Sequence, residues 1–139
     1  MIIPGRPPLW RRDASDGRGG RRTHPNTRAD EARVILAARV ARLQAPAGVP
    51  LLVEVVAVYP RPARRPELVP PEVWASGGRV RRLVVPDPDN VLKAVMDGLT
   101  NAGVWTDDGR SALATCSTWW AAVGEGEHTV VKVAPVGWT

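Results

Sequence analysis

Val85-Pro86-Asp87-Pro88-Asp89-Asn90-Val91-Leu92-Lys93-Ala94-Val95-Met96-Asp97-Gly98-Leu99, followed by Gly103-Val104-Trp105-Thr106-Asp107-Asp108, is the stretch on which the fold turns. Val84 and Val85 close a short apolar run. Pro88 lacks an N–H and disfavours helix at the residue before it. Asp87 and Pro88 are therefore expected to be extended, with a helix starting at Asp89 or Asn90. Val91, Leu92, Val95, Met96 and Leu99 fall on one stripe of the helical period, while Asp89, Lys93 and Asp97 recur at i+4 on the opposite side.

Asn101 and Gly103 supply the stop signal for that helix. The helix carries the chain ~18 Å, and an extended return from Gly103 to Asp108 covers roughly 16 Å. An antiparallel path thus brings Asp107 or Asp108 back beside Asp89. In a strand the two face opposite ways, so only one points into the site, and the spacing leaves open which. Carboxylates gathered about 4 Å apart repel by ~1 kcal/mol per pair in water and ~4 kcal/mol at an effective dielectric near 20. A divalent cation offsets this repulsion. An all-oxygen site with few protein ligands suits Mg²⁺, with Mn²⁺ as a substitute, because these ions keep waters and bind substrate phosphate. Such an ion activates water for displacement at a phosphodiester, and Lys93, one turn from Asp89, stabilises the same charge. Each residue also has a plainer reading: Asp89 as a helix cap, Asp107-Asp108-Gly109 as a turn, Lys93 as a solvated partner of Asp89 and Asp97. An EF-hand is excluded, because Val91 and Leu92 stand where an oxygen ligand and a glycine are required.

Asp87-Pro88-Asp89-Asn90-Val91-Leu92-Lys93, Asp97-Gly98-Leu99 and Gly103 to Asp108 together resemble the core of the RusA family of Holliday junction resolvases. The family pattern is Asp-x-Asp-Asn, a lysine four residues after the second Asp, and an Asp-Asp pair further on. The resemblance implies that Asp87, Asp89 and Asp108 are the catalytic, Mg²⁺-binding aspartates, that Lys93 is the essential lysine, and that the protein is a homodimer. Asp107 matches the first member of the pair, so Asp108 is preferred on the resemblance alone. Arg6-Pro7-Pro8 resembles the proline pair near the family's start, but Leu9-Trp10-Arg11 stands where Ser-x-Asn often follows.

The 139 residues, 44% of them hydrophobic, fit a single domain over 1–139. Of the 19 basic residues 17 are Arg, which favours forked contacts to phosphate; a genome rich in G and C would also raise Arg, Ala, Gly and Pro. Net charge is +5, although the window 87–108 holds five acids and one lysine. A basic body around an acidic spot suits a polyanion cut by metal-bound carboxylates. The lone Cys116 excludes an internal disulfide and a Cys-based zinc cluster. No apolar run approaches the roughly 20 residues of a membrane span, and no charged-then-apolar leader is visible. A cytoplasmic protein is expected, and the resemblance implies one that is bacterial or phage-encoded and acts at the nucleoid.

In chain order, Met1-Ile2-Ile3 reads as a short strand. Residues 11–26, rich in Arg and Gly, read as a flexible basic loop that either closes over DNA or is solvated coil. Thr27 to Asp30 has N-cap character. Ala29, Ala32, Leu36, Val40 and Leu43 then trace an apolar stripe to about Gln44, with Pro46 and Gly48 ending the helix and Arg33, Arg39 and Arg42 on its solvated side. Leu51 to Tyr59, apolar except for Glu54, is a covered, central strand; Glu54 lies either near the acidic site or on a solvent-facing side. Residues 60–83, with five prolines and many arginines, read as a second flexible basic loop. Arg64, Arg65, Arg79, Arg81 and Arg82 are its DNA-backbone candidates. Ser111 to Val123 and Thr129 to Val133 read as strands joined into a hairpin by Gly124-Glu125-Gly126-Glu127, with Trp119 and Trp120 in the core or at a dimer interface.

The expected architecture is a small α/β (α+β) domain with a mixed sheet and two main helices in the order β-α-β-α-β-β. The expected function is a Mg²⁺-dependent, structure-selective endodeoxyribonuclease that resolves Holliday junctions in DNA recombination and repair. A four-way junction is two-fold symmetric, so a C2 homodimer supplies paired nicks. The rivals are a non-catalytic branched-DNA-binding protein and a nuclease of the same fold acting on other branched DNA.

Overall fold

Nine residues, of which only Glu54 is charged, make the strand around which the sheet is laid. A computed structural model describes residues 1–11, 14–15, 21–22, 25–84, 86–105 and 111–139. Its elements are β1 (Ile2–Pro4), β2 (Ala14–Ser15), β3 (Arg21–Arg22), α1 (Pro25–Val40), β4 (Leu51–Tyr59), α2 (Pro71–Ala75), β5 (Val80–Arg81), α3 (Pro88–Asn101), β6 (Ser111–Trp120) and β7 (His128–Pro135). The main sheet runs β1-β7-β4-β6-β5, and β2 pairs with β3 in a separate two-stranded ladder. The expected α+β class, mixed sheet and β-α-β-α-β-β backbone are all present, with β2, β3, α2 and β5 added. Leu51, Val53, Val55, Ala57 and Tyr59 turn one face of β4 toward the helices and into the core with Val91, Val95 and Leu99 of α3 and Val34 of α1.

The expected hairpin does not form. β4 lies between β6, which it pairs in parallel, and β7, which it pairs antiparallel. A covered apolar strand must satisfy the N–H and C=O groups along both its edges, and β6 and β7 serve one edge each. The turn signal is real but local: Glu125 N–H donates to Ala122 O at 3.0 Å, and Gly124 has φ +80°. That turn belongs to a segment that crosses the end of β4, where Ala121 N–H donates to Tyr59 O at 2.9 Å. Crossing two strand spacings takes only ~10 Å, well within reach of seven residues.

α1 also departs from expectation, because its buried residues are Thr27, Asp30, Val34 and Ala38. Leu36 is 64% exposed and Val40 77%, with Ala29 and Ala32 also exposed. Polar anchors select this face. Thr27 Oγ1 accepts from the Arg11 N–H at 3.0 Å, and the Asp30 carboxylate accepts from Leu9 N–H at 3.0 Å and from Arg6, Arg11 and Arg33 at 3.1–3.4 Å. Arg33, expected on a solvated side, donates to Asp30, to Pro4 O and to Arg6 O. The helix stops at Val40, short of Gln44. Arg42 takes a left-handed conformation at φ 51°, with Arg42 N–H to Arg39 O and Leu43 N–H to Ala38 O, which is a Schellman closure without glycine.

α3 follows its sequence closely. Pro88 is its first helical residue, one position earlier than expected, because proline without an N–H is well suited there. The same closure ends it, now with Gly103 at φ +77°: Gly103 N–H to Thr100 O and Val104 N–H to Leu99 O. In its last turn, Gly98 permits a close crossing over α1, since a Cβ there would lie 2.6 Å from Val34 Cβ and Cγ1. Val34 Cβ is fixed to its helix backbone, so Gly98→Ala must push the helices apart. Overpacking of about 1–3 kcal/mol exceeds the gain in helix propensity of about 1 kcal/mol. Denaturant unfolding of Gly98→Ala is expected to show a loss of about 1–2 kcal/mol; unchanged stability would contradict the crossing.

Candidate functional site

Asp87 and Asp89 stand exposed at the start of α3. Asp87 occupies the N-cap position in extended conformation, φ −67° and ψ 150°, yet its side chain makes no capping hydrogen bond. Asp89 lies in the first turn. Among the described residues neither carboxylate has an ion-pair or hydrogen-bond partner, so helix capping does not occupy them. Below Asp89 lies the half-buried Cys116 of β6, whose thiol is pushed up to about 12 by burial and then by the charge of Asp89. At neutral pH it stays protonated and is a poor nucleophile.

Lys93 sits one turn further along the exposed side, its Nζ 4.9 Å from the centroid of the Trp10 ring. This cation–π contact seats the ammonium on the same helix as the two carboxylates. Trp10 is itself placed by backbone, its N–H donating to Asn90 O at 3.1 Å. The residues on either side of it, Leu9 and Arg11, are both bound to Asp30. The segment 6–11 is thus a strap tied at α1 and laid against the first turn of α3. Sequence reasoning missed Trp10, taking Leu9-Trp10-Arg11 only as a departure from the family pattern. The usable signal was a lone aromatic among arginines near the site's lysine.

Asp107 and Asp108 lie outside the described residues. Their approach is fixed as far as Trp105, which is buried and donates from Nε1 to Thr100 Oγ1 at 2.8 Å. Among the described residues no group of three His, Cys, Asp or Glu side chains comes together to hold a metal. Glu54 is exposed, with Thr115 and Lys132 as its cross-strand neighbours. It projects from the sheet face opposite α1 and α3, away from the site.

Segment 60–83, expected as a flexible loop, holds α2 and β5, and arginines fasten it. Arg61, not singled out from sequence as a site residue, lies 3.6 Å from the Trp74 ring centroid and donates to Trp74 O, Gly78 O and Ala121 O. Arg65 donates to Val69 O and Glu67 O. Arg79 pairs with Glu125 through both Nε and Nη2. Arg81 lies over Trp119 at 3.9 Å, and Arg82 over Tyr59 at 3.9 Å. Arg64 is exposed. Four of the five DNA-backbone candidates therefore make contacts inside the fold, and Glu125 offsets the charge of Arg79.

The described residues thus define a small α+β domain with two uncapped carboxylates and a seated lysine at one helix start, set in a strongly basic chain. A model of the family described as endodeoxyribonuclease RusA matches residues 4–133, and the chain belongs to that family. Membership makes it an endodeoxyribonuclease of the kind that acts on Holliday junctions. No curated protein matches the chain. Among the described residues no helix is long and apolar enough to cross a membrane.

The Arg79–Glu125 pair closes the crossing segment against the arginine-rich one, and the hydrogen bonds from Arg79 hold the Glu125 carboxyl down at about 2, below its ordinary 4.5. A depressed folded-state value stabilises the fold above the unfolded value, and the contribution fades as pH falls from about 4.5 toward 2. For so solvent-accessible a pair it amounts to about 1 kcal/mol after screening. Glu125→Gln is expected to lose that amount at pH 7 and to match the parent near pH 2, as urea titrations at the two pH values would record.

Proposed function

We propose that the chain is a divalent-metal-dependent endonuclease that resolves four-way DNA junctions by paired, symmetric nicks leaving 5′-phosphates in recombination and repair. Asp87, Asp89 and Asp108 hold the ion, Mg²⁺ with Mn²⁺ as a substitute, and Lys93 neutralises charge that develops on the phosphate. The observation that carries this reading is the pair of exposed carboxylates that start α3 without capping it, with Lys93 held one turn away. The donor set fits the group, since oxygen ligands on an open surface suit a hard cation that keeps part of its hydration. When bound, the ion supplies Lewis-acid activation at the scissile phosphodiester. The protein's part is to hold the carboxylates and the ammonium in fixed relation, and the strap through Trp10 does so for Lys93. Arg64 and Arg81, both exposed, are the DNA-backbone contacts best placed to engage phosphate; Arg65 and Arg82 contribute positive field, and Arg79 does so only once released from Glu125. The setting is the cytoplasm of a bacterium or of a phage-infected cell.

Asp89→Asn is expected to keep its affinity for a synthetic four-way junction and to lose cleavage by roughly a hundredfold or more, the scale on which removing one group that stabilises transition-state charge acts. Full cleavage by Asp89→Asn would end the assignment. Junction binding without cleavage by the parent in Mg²⁺ would favour a non-catalytic binding protein, and preference for flaps in a substrate panel would favour the related nuclease.

The working unit is a C2 homodimer, because two matched nicks need two sites related by a two-fold axis. Supporting it is the sheet face opposite the helices, where Ile2 (63% exposed) and Leu113 (52%) join the half-exposed Leu52, Val56, Val130 and Ala134 around Glu54 and Lys132. Glu54 and Lys132 are cross-strand neighbours. A two-fold running between β4 and β7 sets each opposite its counterpart's opposite charge. Sedimentation is expected to give twice the 15.0 kDa chain mass, Lys132→Glu a monomer, and the Glu54→Lys, Lys132→Glu double swap a dimer again. A parent that sediments as a monomer at micromolar concentration would refute the dimer.

A further inference from the structure

Arg82 is the arginine closest in sequence to Asp87 and Asp89, and its contacts differ in kind from those of its neighbours. Its Nη1 donates to Val84 O at 3.0 Å and to Pro86 O at 3.4 Å. Its guanidinium lies 3.9 Å from the Tyr59 ring centroid and 4.9 Å from that of Trp120. The backbone at Arg82 is pinned as well, its N–H donating to Thr118 O and its carbonyl accepting from Thr118 Oγ1. The side chain is half-buried, and burial is the main influence pulling its pKa below the ordinary arginine value. A phosphate-binding arginine offers its fork to solvent. This one directs Nη1 to backbone carbonyls and lays its plane over two rings.

We propose that Arg82 is a positioning residue, whose stacked guanidinium holds the carbonyls of Val84 and Pro86 and so sets where the Asp87 carboxylate stands. Peptide planarity provides the link. Fixing the Pro86 carbonyl oxygen fixes the plane that contains the Asp87 nitrogen. Pro88 restricts Asp87 from the other side to extended conformations, as its φ −67° and ψ 150° confirm. With both flanks set, few backbone states remain for Asp87. Lysine cannot replace the interaction, because an ammonium does not stack as a plane over the Tyr59 and Trp120 rings while donating to both carbonyls.

The inference rests on the reading of Asp87 as a metal ligand, and its test uses Mn²⁺ binding measured without DNA. Arg82→Lys is expected to weaken Mn²⁺ affinity, read by electron paramagnetic resonance titration, by about tenfold, the usual scale for groups that orient metal ligands. Its junction affinity in chelator is expected to stay within about twofold of the parent, with the same salt dependence. Arg61→Gln serves as the control, since Arg61 clips the same segment to Trp74, Gly78 and Ala121 without touching Pro86. It is expected to lower the melting temperature and leave Mn²⁺ affinity unchanged. Weaker junction binding by the uncharged Arg82→Gln, with a salt slope smaller by about one and unchanged Mn²⁺ affinity, would make Arg82 a phosphate contact and overturn the proposal. Equal Mn²⁺ loss in Arg61→Gln, or none in either variant, would overturn it too. A parent that binds no Mn²⁺ would overturn both this inference and the metal reading. A parent whose Mn²⁺ affinity depends on Arg82 but which cuts no junction would overturn the nuclease reading alone.

Discussion

One buried carboxylate sets the geometry of the N-terminal half. Asp30, 1% exposed, receives guanidinium groups from Arg6, Arg11 and Arg33 together with the N–H of Leu9. Withdrawing such a charge from water is costly unless it is paired and hydrogen-bonded on every side. Here the pairing also fixes geometry. Asp30 decides which face of α1 turns inward, against the pull of Leu36 and Val40, and it anchors the strap that delivers Trp10 to α3. Two elements far apart in sequence are thereby referred to one atom group. The start of α3 is held by the strap through Asn90 O and by Arg82 through Pro86 O.

The arginines carry the second theme. An excess of Arg in a basic chain reads first as nucleic-acid affinity, yet Arg6, Arg11, Arg33, Arg61, Arg65, Arg79 and Arg82 all make contacts that hold the fold together. In a chain with no Phe and many prolines, planar guanidinium groups stacked on Trp74, Trp119, Trp120 and Tyr59 provide flat, donor-bearing surfaces that close loops over carbonyl groups. The two roles are compatible. A guanidinium bound to a neutral carbonyl keeps its full charge, so the field that attracts DNA persists while the fork is occupied. Only Asp30 and Glu125 among the described acids neutralise their partners by direct pairing.

What was legible in the sequence follows from the range of the forces involved. α3 could be read nearly residue by residue, because its apolar period, its proline start and its glycine stop are all local. β4 was legible as central for the same reason, an apolar run between prolines interrupted only by Glu54. The face of α1 was not, since its own pattern is weak and a buried aspartate with distant donors overrode it. The pairing of β6 and β7 was not either: a correct turn signal does not say which strand fills the space beside it. The positions of Asp87, Asp89 and Lys93 on α3 were anticipated from spacing. The seat of Lys93 on Trp10 depends on a contact between distant parts of the chain that no spacing rule encodes.

The central claim is that Asp87 and Asp89 share one cation with Asp108. Anomalous diffraction from crystals grown with Mn²⁺ addresses it directly. A single peak per chain is expected, about 2 Å from a carboxylate oxygen of each of the three residues. A peak seated on other residues, or no peak at saturating Mn²⁺, would contradict a shared metal site at the start of α3.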